Sequence, residues 1–329
     1  MTALFKNWKF VDLFAGIGAF HVALKDHGAE CVFASEINPD AASVYEINHG
    51  LKPNGDITKI AAEDIPEHDI LCAGFPCQAF SISGRKLGFD DTRGTLFFDI
   101  VRIAKHHQPR VLLLENVKNL ESHDRGRTFT VMKAALEEIG YRVYHKVIDA
   151  SDFWTPQKRE RIFIVCLRAD IQLDHAYFWP MKGVAKYRVD DLVDLGVQRP
   201  MKQEYIPEGE FDGRPDRIAR VGRFKNGTQG YRVYDPRGLG VTLCSAGGGG
   251  GANTGLYMIE GAPRVLTARE CARLTGFGDN FSMHPNEKKA VRQFGNSIVV
   301  PVLAAIVSTF SLQLDRHYRR TAGIALPAA

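Results

Sequence analysis

Several features are scarce or missing from these 329 residues. No two of the six cysteines form a C-x-x-C pair and no histidine pair stands at metal-ligand spacing, which argues against a structural zinc site and leaves no expected metal. The cysteines (Cys31, Cys72, Cys77, Cys166, Cys244 and Cys271) lie scattered through apolar stretches, a distribution suited to a reducing compartment. The opening residues, MTALFKNWKF, lack the apolar core of a signal peptide. The longest apolar run, Ser297–Phe310, is too short to span a bilayer and contains Pro301. It reads as a buried helix, and the protein is expected in the cytoplasm. No internal repeat is visible, and the net charge of +4 is too small to name a partner by itself.

What is present is an ordinary globular balance, 45% hydrophobic and 24% charged, in a chain long enough for a large domain plus a smaller one. In the first half, short apolar runs alternate with helical patterns: Lys9–Ala15, Cys31–Ser35, Ile70–Gly74, the wholly aliphatic Val111–Leu114, Val143–Ile148 and Arg161–Leu167. That alternation predicts a parallel, doubly wound α/β sheet. From about Lys186 to Pro263 the chain turns rich in Gly, Arg and Pro with poor helical periodicity, as in a smaller unit of short strands and loops. Helical character returns near the C-terminus, so the small unit is an insertion. The expected division is 1–186 and 287–329 for the large domain, and 187–286 for the inserted domain and its hinge.

Two regions carry chemistry. Where the first strand meets the first helix stands Asp12-Leu-Phe14-Ala15-Gly16-Ile-Gly18, whose glycines let the backbone approach a ligand. A third glycine of the dinucleotide fingerprint is missing. Glu36 ends the second strand, where a carboxylate can accept from both ribose hydroxyls. Asp56-Ile57 can supply one acceptor and one apolar wall to an adenine. Together these say nucleoside cofactor. At the end of the third strand lies Gly74-Phe-Pro76-Cys77-Gln-Ala-Phe-Ser81-Ile-Ser83-Gly84, with a thiol ill-suited to core packing. Glu115 leaves the aliphatic fourth strand toward the same crevice, costly to bury unless it works or is paired. In Gln157-Lys-Arg159-Glu-Arg161, either arginine can bind a carbonyl oxygen or a phosphate. Between Arg214 and Arg232, six basic residues stand against the single acid Asp216.

In this order, F-A-G-x-G, the acid after strand two, G-F-P-C-Q, E-N-V, Q-x-R-x-R, R-E-C-A-R-L and Q-F-G-N-S-I resemble the DNA cytosine C5-methyltransferases over nearly the whole chain, most of all the compact bacterial HhaI-type modification enzymes. The resemblance implies a Rossmann-like S-adenosylmethionine-dependent methyltransferase domain with an inserted, mostly β or irregular target-recognition domain. It implies that Cys77 attacks C6 of a flipped cytosine, that Glu115 holds the N3/N4 edge, and that Arg161, with Arg159 beside it, binds O2. Phe14, Ala15, Gly16, Gly18, Glu36, Ile37, Asp56, Ile57, Gly74, Pro76, Asn296 and Ser297 would line the S-adenosylmethionine site. Ser81, Ser83, Arg93, Gln229, Tyr231, Arg232 and Thr242 would meet double-stranded DNA, and the basic cluster would position phosphates. Relatives often carry an aromatic where this chain has Ile37. GCGC is the expected target, a monomer the expected state, and a restriction endonuclease would be linked only through a shared target.

Other classes fit less well. A nicotinamide oxidoreductase needs no Pro-Cys loop, a cysteine hydrolase needs a histidine base, and a silent DNA-binding relative would not keep the reactive residues. A tRNA cytosine methyltransferase of the same fold is the nearest alternative.

Overall fold

The computed structural model describes residues 5–76, 96–173, 175–183, 187–197, 199, 204–224, 229–246 and 250–322. Cys77, Ser81, Ser83 and Arg93 therefore lie outside the described residues, as does Lys225.

The chain divides into two compact units. The first comprises residues 1–148, 160–180 and 303–329, and the second residues 149–159 and 181–302. This division differs from the expected one: residues 149–159, 181–186 and 287–302 belong with the second unit. The cause is hydrogen bonding that sequence pattern does not show. Thr155 Oγ1 and Gln157 Nε2 donate to the Leu274 carbonyl at 2.8 and 3.1 Å, tying the 149–159 segment to the unit's later helices.

The first unit is built on a six-stranded sheet in the order β2-β1-β3-β4-β6-β5. Its strands are β1 (Lys9–Leu13), β2 (Glu30–Ser35), β3 (Ile70–Gly74), β4 (Val111–Val117), β5 (Tyr141–Asp149) and β6 (Glu160–Arg168). The α/β class stands, but the sheet is mixed: β2, β1, β3 and β4 run parallel, whereas β6 pairs with β4 antiparallel. Helices α1 (Ala19–Lys25), α2 (Pro39–His49), α3 (Leu96–His107) and α4 (Arg127–Glu138) connect the strands. Val111 through Leu114 have no exposed surface, as a strand covered on both faces requires. Against them α3 turns Phe97, Ile100, Ile103 and Ala104, a helical stripe that joins the same core. Asn38 caps α2 by accepting from Asp40 N at 2.9 Å, with Pro39 in the first turn and Gly50 left-handed at the far end.

The second unit holds a five-stranded sheet in the order β11-β10-β9-β8-β7. These strands are β7 (Tyr205–Pro207), β8 (Arg220–Phe224), β9 (Arg232–Tyr234), β10 (Leu256–Ile259) and β11 (Ala262–Val265). Their core is small: Val221, Phe224, Val233 and Leu256. Helices α5 (Ala268–Leu274) and α6 (Glu287–Asn296) follow. Thr267 and Glu270 form a capping box at α5, and Glu270 also takes a buried pair of hydrogen bonds from Arg264 at 2.7 and 2.8 Å. The last helix, α7 (Val300–Thr321), takes in residues 300–310 of the run expected to be a buried helix. The stretch Glu287–Thr321 is long and apolar enough to cross a membrane, but 72% of its most apolar window is buried within the protein, as in a core helix.

Candidate active site

Strand order brings two ligand-facing edges side by side in the first unit. The chain leaves β1 for β2 on one side and reaches β3 on the other, so the carboxyl ends of β1 and β3 flank a topological switch point, where open α/β sheets place their ligands. Leu13 and Ala73 are register partners there, and one strand over Gly74 pairs with Glu115.

At the β1 end the backbone turns sharply. Gly16 and Gly18 take φ of 56° and 92°, conformations that suit glycine, and nothing lies within 4 Å of the side-chain position on Gly16. Phe14 shares the left-handed region at φ 56° and packs against the core, while Ala15 N donates to Ser35 O at 2.9 Å. Glu36 leaves β2 and takes two backbone amides, Gly16 N at 2.8 Å and Asn38 N at 2.7 Å. The carboxylate is thus aimed and fixed beside the glycine turn. Ile37 follows it with 73% of its surface exposed, an aliphatic side chain open to solvent beside the fixed carboxylate. Asp56 accepts from Thr58 N and Thr58 Oγ1 at 3.1 and 2.8 Å, and the Thr58 hydroxyl holds its carboxyl below the ordinary range. Ile57, expected as an apolar wall to adenine, is 3% exposed and packs within the core. An exposed apolar residue beside a fixed carboxylate and an open glycine turn fits a nucleoside, so these residues suit S-adenosylmethionine. Asp12, at the end of β1, is fully buried, and neither oxygen finds a hydrogen-bond partner among the described residues. Burial, aided by Glu36, pushes its carboxyl well above the ordinary range.

The reactive edge lies at the ends of β3 and β4. Arg161 Nε stands 3.2 Å from Glu115 Oε1, both side chains largely buried. Antiparallel register produces the meeting: Val117 pairs with Arg161 and Glu115 with Phe163. Asn116, between them in sequence, is buried and donates from Nδ2 to the Phe75 carbonyl at 2.9 Å, while its Oδ1 accepts from Val117 N at 2.8 Å. The exit of β3, one residue before the exposed Pro76, is thereby pinned to the exit of β4. The E-N-V motif contained this residue, but only its glutamate received a role. A buried amide at a strand end was the signal available.

Arg159, expected beside Arg161 as a second catalytic guanidinium, is placed differently. It belongs to the second unit, is 3% exposed, and donates to three carbonyls: Leu243 at 2.8 Å, Gly295 at 3.0 Å and Ser297 at 2.9 Å. Both terminal nitrogens of the guanidinium thus donate to the protein's own backbone. Ser297, an expected cofactor residue, is one of those acceptors and is buried, whereas Asn296 is exposed at the end of α6.

Of the remaining sequence-derived candidates of the second unit, Gln229 and Thr242 line a hollow of about 400 Å³ together with Lys158, Cys244 and a set of glycines, whereas Tyr231 and Arg232 are not part of its lining. Gln229 is exposed at the start of a 3-10 turn, Tyr231 packs on the small core, and Arg232 opens β9. Thr242 donates its hydroxyl to the Lys158 carbonyl at 2.5 Å. The basic cluster is less free than its composition suggested. Glu208 pairs with Arg220 and Arg223 at 2.5 and 2.6 Å, and Asp212 pairs with Arg214 and Arg217. Four of the six cations thus carry acid partners from outside the window. Among the described residues no group of three metal-ligating side chains occurs, and the five cysteines there are unbridged.

Comparison with known proteins bears on what this arrangement does. Residues 8–311 match the family model described as C-5 cytosine-specific DNA methylase. The chain is 45% identical over 312 residues to the Type II methyltransferase M.HhaI of Haemophilus parahaemolyticus, covering 93% of this chain and 95% of that one. It is 39% identical over 320 residues to the Type II methyltransferase M.HaeII of Haemophilus aegyptius, covering 96% of each. Among solved structures, Dnmt2 methyltransferase of S. pombe superposes with a TM-score of 0.70 at 21% identity over 94% of this chain and 99% of that one, a likeness of fold. The chain belongs to the C-5 cytosine-specific DNA methylase family, and it is a DNA cytosine C5-methyltransferase.

Proposed function

We propose that the enzyme methylates C5 of a cytosine swung out of a short G/C-rich DNA duplex, through a covalent bond between Cys77 and C6. The observation that carries this reading is the Glu115–Arg161 pair beside the β3 exit: an acid and a guanidinium 3.2 Å apart at one crevice edge suit the N3/N4 and O2 sides of a single pyrimidine. A base in a stacked duplex cannot reach them, hence the extrusion, at a cost of a few kcal/mol offset in the pocket.

The chemistry requires that set. An aromatic ring carbon is a weak nucleophile until a soft thiolate adds beside it. Addition of Cys77 to C6 pushes an electron pair into the ring, where Glu115 meets it at N3 with a proton and Arg161 at O2 with hydrogen bonds. S-adenosylmethionine, when bound, supplies the methyl group that C5 takes up. Loss of the C5 proton then returns the pair that expels Cys77 and leaves 5-methylcytosine.

Glu36 is the acceptor for the ribose hydroxyls, Ile37 the apolar face against adenine, and Gly16–Gly18 the close-approach segment. Asn116 is a positioning residue that sets the start of the Cys77 loop against Glu115. Arg159 is a positioning residue that ties Leu243 to Gly295 and Ser297, rather than a ligand of the base. Target reading falls to Gln229, Tyr231, Arg232 and the Thr242 segment, with Ser81, Ser83 and Arg93 on the DNA side of the Cys77 loop. The target is read as GCGC and the enzyme as monomeric and cytoplasmic; the Type II methyltransferase names of the relatives support a place in a restriction-modification system. A tRNA substrate gains no support from the family description.

Bisulfite mapping of a random DNA library treated with enzyme and cofactor tests the proposal. Methylation confined to one cytosine of GCGC is expected. Methylation of another fixed motif would refute the target, and transfer only to tRNA would refute the substrate.

A further inference from the structure

A buried polar cluster supports the glycine turn, and the reaction itself gives it no role. Tyr45 and His49 stand four residues apart on α2 and so share one face of that helix. His21 of α1 meets both. Its Nδ1 lies 2.8 Å from the Tyr45 hydroxyl, and its ring stacks on His49 with centroids 4.1 Å apart and an interplanar angle of 17°. His49 Nε2 in turn lies 3.2 Å from the carbonyl oxygen of Ile17, the residue between the two turn glycines. The His49 ring also fills the space that a side chain on Gly18 would need.

The chemistry fixes the direction of that contact. Burial pulls His49 down to about 4 and His21 to about 3, so both rings are neutral near pH 7. A carbonyl only accepts, so His49 holds its hydrogen on Nε2 and donates it to Ile17. The turn is therefore held from two sides. Glu36 accepts the Gly16 amide at 2.8 Å, and His49 donates to the Ile17 carbonyl one residue later. Glu36 comes from the end of β2, whereas His49 comes from the end of α2, so the turn cannot shift without breaking contacts to two separate elements.

We propose that His49, braced by His21 and Tyr45, is a positioning residue for S-adenosylmethionine: it fixes the Gly16–Gly18 turn against Glu36 and so preorganises the cofactor site. The proposal rests on reading that turn as the cofactor site. Preorganisation raises affinity by removing an ordering cost otherwise met on binding. His49 does not touch the reacting atoms, so its effect belongs in cofactor affinity and not in the rate of the bound complex.

The test uses the full-length enzyme, calorimetric titration with S-adenosylhomocysteine, and in parallel duplex binding without cofactor and steady-state kinetics. His49→Phe keeps the ring and its stack but removes the donor. It is expected to weaken S-adenosylhomocysteine binding about three- to tenfold, the size of one hydrogen bond. The loss should appear in KM for S-adenosylmethionine, with kcat at saturating cofactor and duplex affinity each within about twofold of wild type, on the same scale. Should that variant fail to fold, His49→Ala, which adds no bulk, is judged by the same criterion. Unchanged cofactor affinity in the folded variant overturns the proposal, as does an equal loss of cofactor and duplex affinity, the mark of a general structural role. A wild-type enzyme that does not bind S-adenosylhomocysteine overturns the reading of the turn instead.

Discussion

Glu115 and Arg161 meet across the antiparallel strands β4 and β6, the arginine Nε 3.2 Å from the glutamate Oε1. Each is thereby aimed by its neighbour before any base arrives. Because the two groups act on one ring, their contributions should not add. Glu115→Ala is expected to lower kcat about 10²- to 10⁴-fold and Arg161→Ala about 10²- to 10³-fold, the ranges for a general acid and for one anion-stabilising donor. In the double variant the loss should fall well short of the product. Single-turnover rates on a saturated duplex measure all three, and a fully multiplicative loss would show that the residues work independently.

Arg159 should separate from Arg161 by phenotype. Removing a buried guanidinium that holds three carbonyls leaves those acceptors unsatisfied, so Arg159→Ala is expected to destabilise folding by roughly 3 kcal/mol or more. Arg159→Lys should recover part of this, since an ammonium cannot reproduce the fork. Arg161→Ala, by contrast, should cost activity with a smaller shift in the denaturation midpoint. Urea titrations of the three variants decide it. A fully stable Arg159→Ala enzyme lacking only turnover would return Arg159 to the base.

Much of this was legible from residue order. The strands of the first unit were visible because β1, β3 and β4 are short apolar runs, and their carboxyl ends mark the crevice whatever the details. Strand direction was not visible: an aliphatic run such as that of β6 buries equally well parallel or antiparallel, yet its direction brings Arg161 to Glu115. The fate of Arg159 was hidden for a related reason, since its acceptors lie 84, 136 and 138 residues away. The basic cluster misled by its window, because Glu208 and Asp212 precede Arg214 and were not counted against it. Ile57 reads as an apolar wall from its residue type, which does not show that it also packs within the core.

Acid should weaken the fold through three histidines that are buried or partly buried. His21, His49 and His68 are held at about 3, about 4 and about 4, chiefly by burial, whereas in the unfolded chain they take up a proton near 6.5. Their folded values are lowered, so the unfolded state binds more protons below pH 6.5. Their contribution is therefore complete above that pH and is lost as pH falls toward 4 and then 3. Each histidine adds up to about 1.4 kcal/mol per pH unit within that window. Urea titrations at pH 7, 5.5 and 4.5 should show the slope, and His68→Gln should reduce it by one histidine's share. An unchanged slope in that variant would contradict the assignment.

Ile37 gives the opposite kind of prediction, a gain. The side chain is exposed beside Glu36, so a larger ring has room to lie there. Ile37→Trp is expected to tighten S-adenosylhomocysteine binding about three- to tenfold through stacking on adenine, at the roughly 1 kcal/mol scale of an aromatic pair. Equilibrium dialysis with labelled cofactor measures it. Weaker binding would place the adenine elsewhere.

The most direct measurement is covalent trapping. A duplex carrying 5-fluorocytosine at the target cannot lose its C5 substituent as a proton, so the thiol stays bonded to C6 after methyl transfer. Wild-type enzyme with this duplex and S-adenosylmethionine should give a complex that survives denaturing electrophoresis, with the crosslink on Cys77, and Cys77→Ser should give none. An equal yield of complex from the serine variant, or no complex from a wild-type enzyme that methylates the unfluorinated duplex, would contradict the account.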